Sequence, residues 1–167
     1  MQLPLLGGLI LGLVTLQRLG ELVLSRRNTE RLRAQGAYEV APGHYPLIVA
    51  LHAVWLVGLW FIVVWRGHAD VSWPWLAFFL VLQVLRVWVL ATLGERWTTR
   101  IIVLPGAPLV KSGPYRFVAH PNYCIVAAEI LVLPLVFGLM WYGLVFSVLN
   151  AIVLWIRIRA EEAALRQ

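Results

Sequence analysis

Apolar residues run along this chain in five stretches, at about 4–24, 46–65, 74–93, 122–138 and 141–158, with polar segments rich in Arg, Gly and Pro between them. Each stretch is near the roughly 20 residues that a helix needs to cross the hydrocarbon of a bilayer. A helix satisfies its own backbone hydrogen bonds in lipid, so the pattern predicts five transmembrane helices. The polar run 25–34 (SRRNTERLRA) continues the first helix beyond its apolar part. Gly36, Pro42, Gly43 and Pro46 then break the chain before the second. Residues 104–121 (LPGAPLVKSGPYRFVAHP) predict an irregular loop, and a loop of that length between closely linked spans is a place for function. The expected fold is an all-α integral membrane protein with one transmembrane domain over residues 1–167.

Composition strengthens this. Of 167 residues, 61% are hydrophobic and only 13% are charged, whereas a soluble domain has about a quarter charged. A disordered chain is excluded by the same figures. The basic residues fall unevenly: Arg26, Arg27, Arg31 and Arg33 follow the first span, and Arg96, Arg100, Lys111 and Arg116 follow the third. The second connection has Arg66 offset by Asp70, and the turn at 138–141 has no charge. The positive-inside rule then sets the N-terminus outside and the tail, with Arg157, Arg159 and Arg166, in the cytoplasm. A net charge of +6 distributed in this way faces anionic membrane lipids rather than nucleic acid. The lone Cys124 excludes an internal disulfide, and His, Cys, Asp and Glu show no metal-ligand spacing. Arg18 is the first basic residue, so no charged region precedes the first apolar stretch and a cleavable signal peptide is not expected.

Ionisable groups inside the spans need partners or water. Arg18 and Glu21, three apart, share a helix face and can neutralise each other. Arg86 has no local carboxylate; it either reaches the interface or pairs with Glu129 or Glu21 from another span, and serves either packing or substrate binding. Glu129 is open to the same two roles. His52 reads as an interhelical hydrogen-bonding contact. Gly8 and Gly12 form a small-xxx-small pattern suited to close helix packing, and several of the nine tryptophans stand at span ends as interfacial anchors.

The densest chemistry lies at 111–123 (KSGPYRFVAHPNY) and 157–165 (RIRAEEAAL). Pro121 suits the first position of the fourth helix, whose free backbone N–H groups favour an anion. His120 and Tyr123, three apart, project to one side of that helix end, and Arg157 and Glu161, four apart, share a face of the fifth helix. Anion-binding amides, a guanidinium, a carboxylate and an aromatic ring suit a zwitterionic, sulfonium or nucleoside-bearing ligand.

The run GPYRFVAHPNY at 113–123, followed by R-x-R-x-E-E-x-x-L at 157–165, resembles the C-terminal signature of the isoprenylcysteine carboxyl methyltransferases and related phospholipid methyltransferases. Residues 25–28 (SRRN) and 44–46 (HYP) are similar to a bacterial subgroup whose members are thought to methylate lipophilic polyketides. The resemblance implies an S-adenosylmethionine-dependent O-methyltransferase in the bacterial cytoplasmic membrane, releasing S-adenosylhomocysteine, with its active site on the cytoplasmic side and residues 94–167 as the cofactor-binding half. The lack of a strand followed by G-x-G-x-x-G agrees with a cofactor site outside a Rossmann domain. Carried over by resemblance, the cofactor site comprises Ala107, Pro108, Leu109, Val110, Tyr115, His120, Pro121, Asn122, Tyr123 and Glu161, with Arg100 more loosely. Arg157 is the implied substrate-binding and catalytic arginine, and His120 is a conceivable base for a phenol. Arg86 and Glu129 are added as candidate substrate-binding residues. One departure is visible: the family pattern Arg-His-Pro has Ala119 here, with Arg116 a candidate substitute for the missing cation. The expected acceptor is a carboxylate or phenolic oxygen on a prenylcysteine or lipid-like polyketide. A phospholipid N-methyltransferase, a sterol-type reductase and a non-enzymatic small membrane protein stand as alternatives.

Overall fold

The structure, a computed structural model, describes residues 3–66 and 70–165. Five helices build it: α1 (Leu3–Ala34), α2 (Tyr45–Arg66), α3 (Trp73–Leu93), α4 (Pro121–Val136) and α5 (Met140–Leu165). Among the described residues, α1, α2, α3 and α5 are long and apolar enough to cross a membrane. α4 starts one residue before the expected 122–138 span and ends two before it, and its 16 residues rise about 24 Å, short of a bilayer's hydrocarbon core of about 30 Å. Its end is set by Gly138 in the left-handed region (φ 69°), where the Leu139 N–H closes back on the Pro134 carbonyl at 2.9 Å. α4 is also the most enclosed helix, packed chiefly against α3 and α5, with Ile125, Ile130, Leu133 and Val136 buried. Arg166 and residues 67–69 lie outside the described residues.

The packing is apolar on both sides of the helices. Leu11, Trp55, Leu59, Ile130 and Leu133 form the core, while Leu13, Leu16, Phe61, Val64, Val84 and Val148 are all more than half exposed. Such a belt is stable against lipid and costly against water. The protein is therefore an integral membrane protein. Trp65, Trp73 and Trp141 stand exposed at helix ends, as interfacial anchors do, but Trp55 and Trp97 are buried and serve the interior.

The polar run after the first apolar stretch does continue α1. Ser25, Asn28, Thr29 and Leu32 recur at helical spacing and form its buried face, with the arginines outside. The helix stops where Gly36 turns left-handed (φ 90°) and the Ala37 N–H bonds the Leu32 carbonyl at 3.0 Å. Two strands the sequence pattern does not show, β1 (Tyr38–Glu39) and β2 (Ile102–Val103), then pair antiparallel with Tyr38 opposite Val103. Two residues are too few for alternation to register. Their role is to fasten the connection after α1 to the one after α3.

Gly8 and Gly12 do not mediate close packing, since a Cβ at either would meet nothing within 4 Å. The tight approaches are elsewhere, at Gly58, where a Cβ would collide with the Tyr142 hydroxyl, and at Gly143, where a Cβ would come within 3.1 Å of the Leu131 carbonyl oxygen. The Tyr142 hydroxyl donates to the Trp55 carbonyl at 2.7 Å and so locks α5 to α2. Gly58→Ala is expected to break that bond and to lower stability by about 1–3 kcal/mol. Thermal unfolding in detergent measures it; a melting temperature equal to that of the wild type would show that Tyr142 moves aside freely.

Candidate functional site

Four charged side chains meet in the interior between α1, α3 and α4. Arg18 reaches Glu21 at 3.0 Å, as their spacing suggests, and also Glu129 at 2.8 Å. Arg86 does not run to the interface. Its Nε and Nη2 donate to the two Glu21 oxygens at 2.5 and 2.6 Å, and its Nη1 donates to Glu129 at 2.7 Å. Gln83, which sequence reasoning passed over, donates to the other Glu129 oxygen at 2.8 Å. Two cations and two anions thus cancel formally in a site that lipid would not tolerate as single charges.

A second polar assembly occupies the end of the bundle where α4 begins and α5 finishes. Pro121 is the first residue of α4, and the His120 ring before it stacks on Tyr123, with centroids 5.3 Å apart and planes within 16°. The Tyr123 hydroxyl donates to Glu161 at 2.5 Å and accepts from Arg157 Nε at 2.8 Å. The spacing of Arg157 and Glu161 suggested a cation and an anion side by side; instead the phenol stands between them. His120 Nδ1 is 3.9 Å from the same Glu161 oxygen. Arg157 is 6% exposed and has no direct carboxylate partner among the described residues.

Around this assembly lies a cavity of about 920 Å³. Its wall includes Ala107, Pro108, Leu109 and Val110, together with Tyr115, Ala119, His120, Asn122, Tyr123, Arg157 and Glu161. Pro121 is buried beneath them. The loop is held by Arg96, whose Nη1 donates to the Pro108 carbonyl at 2.6 Å. Burial and the negative charge of Glu161 push the Tyr115 hydroxyl up to about 12, so it stays protonated at neutral pH. Arg116 is exposed and outside this wall, because the turn that buries Pro114 carries it outward; the cations that share the wall with Ala119, besides Arg100 and Arg157, are Arg96 and Lys111. Arg100 is in the wall, but it is held at 2.7 Å by Glu39 and lies over the Tyr45 ring.

A smaller cavity of about 340 Å³ runs into the bundle from the same end, lined by residues of all five helices and reaching Glu21, Arg86 and Glu129. The two cavities share one wall: Trp97, Thr98, Asn122, Tyr123 and Arg157. That wall rests on the buried face of α1. Asn28 Nδ2 donates to the Gly94 and Trp97 carbonyls at 3.1 and 2.8 Å, and the Ser25 hydroxyl accepts the Thr99 N–H at 2.8 Å. Sequence reasoning missed these supports, although uncharged residues at helical spacing among arginines were a signal for them. The buried Asn122 Oδ1 and the Trp97 Nε1 have no protein partner.

The family model for the isoprenylcysteine carboxyl methyltransferase (ICMT) family matches residues 75–167, which hold α3 from its third residue, α4, α5 and the whole shared wall. The chain is similar to the uncharacterized protein YpbQ of Bacillus subtilis (strain 168), 39% identical over 162 residues, or 95% of this chain and 96% of that protein. It is also similar to an uncharacterized protein of Haemophilus influenzae (strain ATCC 51907 / DSM 11121 / KW20 / Rd), 26% identical over 155 residues, or 89% of this chain and 88% of the other. No solved structure matches. A membrane-embedded bundle carrying both parts of the motif around one site accords with the family match, and this chain belongs to the isoprenylcysteine carboxyl methyltransferase family, as a membrane methyltransferase.

Proposed function

We propose that the protein transfers a methyl group from S-adenosylmethionine to a carboxylate or phenolic oxygen of a lipophilic acceptor. The observation that carries this is the shared wall: a large polar cavity at the end of the bundle and a narrower one between the helices meet at Asn122, Tyr123 and Arg157. The donor set of the large cavity fits the cofactor's chemistry. Glu161 and Tyr123 suit its hydroxyls or ammonium group, Arg96 and Lys111 suit its carboxylate, and the unpartnered Asn122 Oδ1 suits a donor. When bound, S-adenosylmethionine supplies a methyl group on a sulfonium centre and departs as S-adenosylhomocysteine.

The chain's own residues then hold and orient. Glu161 fixes the Tyr123 hydroxyl, and Arg157 both supports that hydroxyl and presents its charge to the inner cavity. An anionic oxygen is drawn to Arg157, and alignment of the reacting groups can supply several kcal/mol of the barrier. A carboxylate needs no base. His120 lines the outer cavity and not the inner one, so in this reading it packs against the cofactor rather than taking a phenol proton. An ammonium acceptor would be repelled by Arg157, which disfavours the N-methyltransferase alternative. Basic residues concentrate at the site's end of the bundle, whereas Arg66 stands alone at the other, so we take the site's end as cytoplasmic and the membrane as the bacterial cytoplasmic membrane.

Calorimetric titration with S-adenosylhomocysteine tests the reading. Binding is expected to weaken about tenfold or more in Glu161→Gln and in Tyr123→Phe, each of which breaks a charge-assisted bond. No heat from the wild type at millimolar ligand would overturn the cofactor assignment.

A further inference from the structure

His52 takes no part in the chemistry above, and its geometry is informative. Its Nδ1 lies 2.8 Å from the carbonyl oxygen of Ile48, one turn earlier in α2. The interhelical contact suggested by the sequence is therefore replaced by a bond within its own helix. A carbonyl only accepts, so Nδ1 carries the proton, and the neutral ring keeps its lone pair on Nε2. No protein group among the described residues bonds that nitrogen. His52 belongs to the wall of the inner cavity, as do Arg18, Glu21, Arg86 and Glu129. Those four are satisfied largely by one another, and Nε2 is left as an acceptor for whatever fills the cavity.

The depth of this acceptor follows from helix geometry. His52 is seven residues beyond Tyr45, whose hydroxyl is bonded to that of Thr99 beside the shared wall at 3.1 Å, and Glu129 is six beyond Tyr123 in the wall itself, a rise of about 10 Å along each helix. Leu22, Ile48, Val49 and Val126 line the cavity between the two levels. From the shared wall inward the surface is therefore polar, then apolar, then polar again. A bare hydrocarbon tail would match the middle level and leave Nε2 facing carbon at the lower one.

We propose that His52 is a specificity-determining residue: its Nε2 accepts a hydrogen bond from a hydroxyl or amide N–H on the body of the lipophilic acceptor, about 10 Å from the oxygen that receives the methyl group. The inference rests on the methyltransferase reading, which makes the inner cavity the acceptor site. It narrows the acceptor class to amphiphilic acids or phenols that carry a second hydrogen-bond donor. A site built to bond such a donor discriminates against the analogue lacking it. Water entering the cavity with the plain analogue would soften that discrimination.

The experiment uses octadecanoic acid and its analogue hydroxylated midway along the chain, with affinity for the detergent-purified protein read by direct binding. The wild type is expected to bind the hydroxylated acid about three- to tenfold tighter. His52→Leu is expected to lose that preference while its affinity for the plain acid stays within about twofold, and His52→Gln, which retains an acceptor oxygen, to keep part of it. Equal affinities in the wild type, failure to bind the hydroxylated acid, or a preference that survives in His52→Leu would each overturn the proposal. If His52→Leu does not fold, the comparison of the two acids in the wild type and in His52→Gln decides it. Because binding is read without methyl transfer, a failed cofactor assignment shows up separately, in the S-adenosylhomocysteine titration.

Discussion

Arg157→Met is expected to lower kcat/KM for a lipophilic acid by roughly 10²-fold, because a charge-assisted bond that binds and orients the acceptor oxygen is lost. Two jobs end at once. The guanidinium that faces the inner cavity disappears, and the Tyr123 hydroxyl loses the donor 2.8 Å away that helps to aim it at Glu161. The bond from Tyr123 to Glu161 remains, so affinity for S-adenosylhomocysteine should fall only a few-fold. Arg157→Lys keeps the charge but not the planar fork, and an intermediate rate is expected. Measuring kcat/KM alongside cofactor affinity separates the roles: equal losses in both would move Arg157 from the acceptor to the cofactor. A variant that instead accepted amine lipids would support the electrostatic basis for preferring an anionic oxygen.

How much of this was legible in the sequence depends on the distance over which each feature is encoded. Helix positions are local, and the end of α1 at Gly36, the start of α4 at Pro121 and the turn at Gly138 each carry their own residue signal. The length of α4 misled because its apolar run extends past Val136, where the left-handed glycine ends the helix. The Arg18–Glu21 pair was readable from spacing, but Glu129 is 111 residues from Arg18 and joins it only through tertiary packing. Spacing also brought Arg157 and Glu161 to one face while concealing Tyr123, which inserts from another helix. Arg116 is near Ala119 in the chain and remote in orientation, whereas Arg96 is remote in the chain and in the same wall. Local pattern thus marked the two segments that meet around the outer cavity, and long-range packing decided which side chains join them there.

The family match begins at residue 75 and so leaves out α1 and α2, which supply much of the inner cavity's wall. The chain's first half, with α1 and α2, thus lines mainly the inner cavity, and the matched half carries most of the outer cavity's wall. Leu22, Ile48, Val49 and His52 line the inner cavity and not the outer one, whereas Glu161 and the loop at 107–110 line the outer one and not the inner. The buried ion cluster joins these halves, since Arg18 and Glu21 come from α1 while Arg86 and Glu129 come from α3 and α4.

Breaking that cluster at Arg86 is expected to cost about 3–5 kcal/mol of stability, because it strands buried carboxylates rather than merely removing an attraction. In Arg86→Met, Glu21 and Glu129 would share Arg18 alone, and the site would change from two cations and two anions to one cation and two anions. The exposed pair Arg26–Glu30, with side chains 82% and 64% accessible, is the control; breaking it should cost less than about 1 kcal/mol. Adding Glu129→Gln to Arg86→Met restores formal neutrality; the new amide oxygen can still accept from Arg18, and its NH2 can donate to Gln83 Oε1, now unpartnered, once the Gln83 amide turns over. The double variant should accordingly be more stable than Arg86→Met, a sign of coupling that a double-mutant cycle reads directly. Reversible unfolding in mixed micelles measures the wild type, the exposed-pair control, the single variants Arg86→Met and Glu129→Gln, and the double variant. An Arg86→Met variant within about 0.5 kcal/mol of the wild type, or a second substitution that only adds to the loss, would mean that water or lipid headgroups reach these carboxylates and the cluster does not bind α1 to α3 and α4.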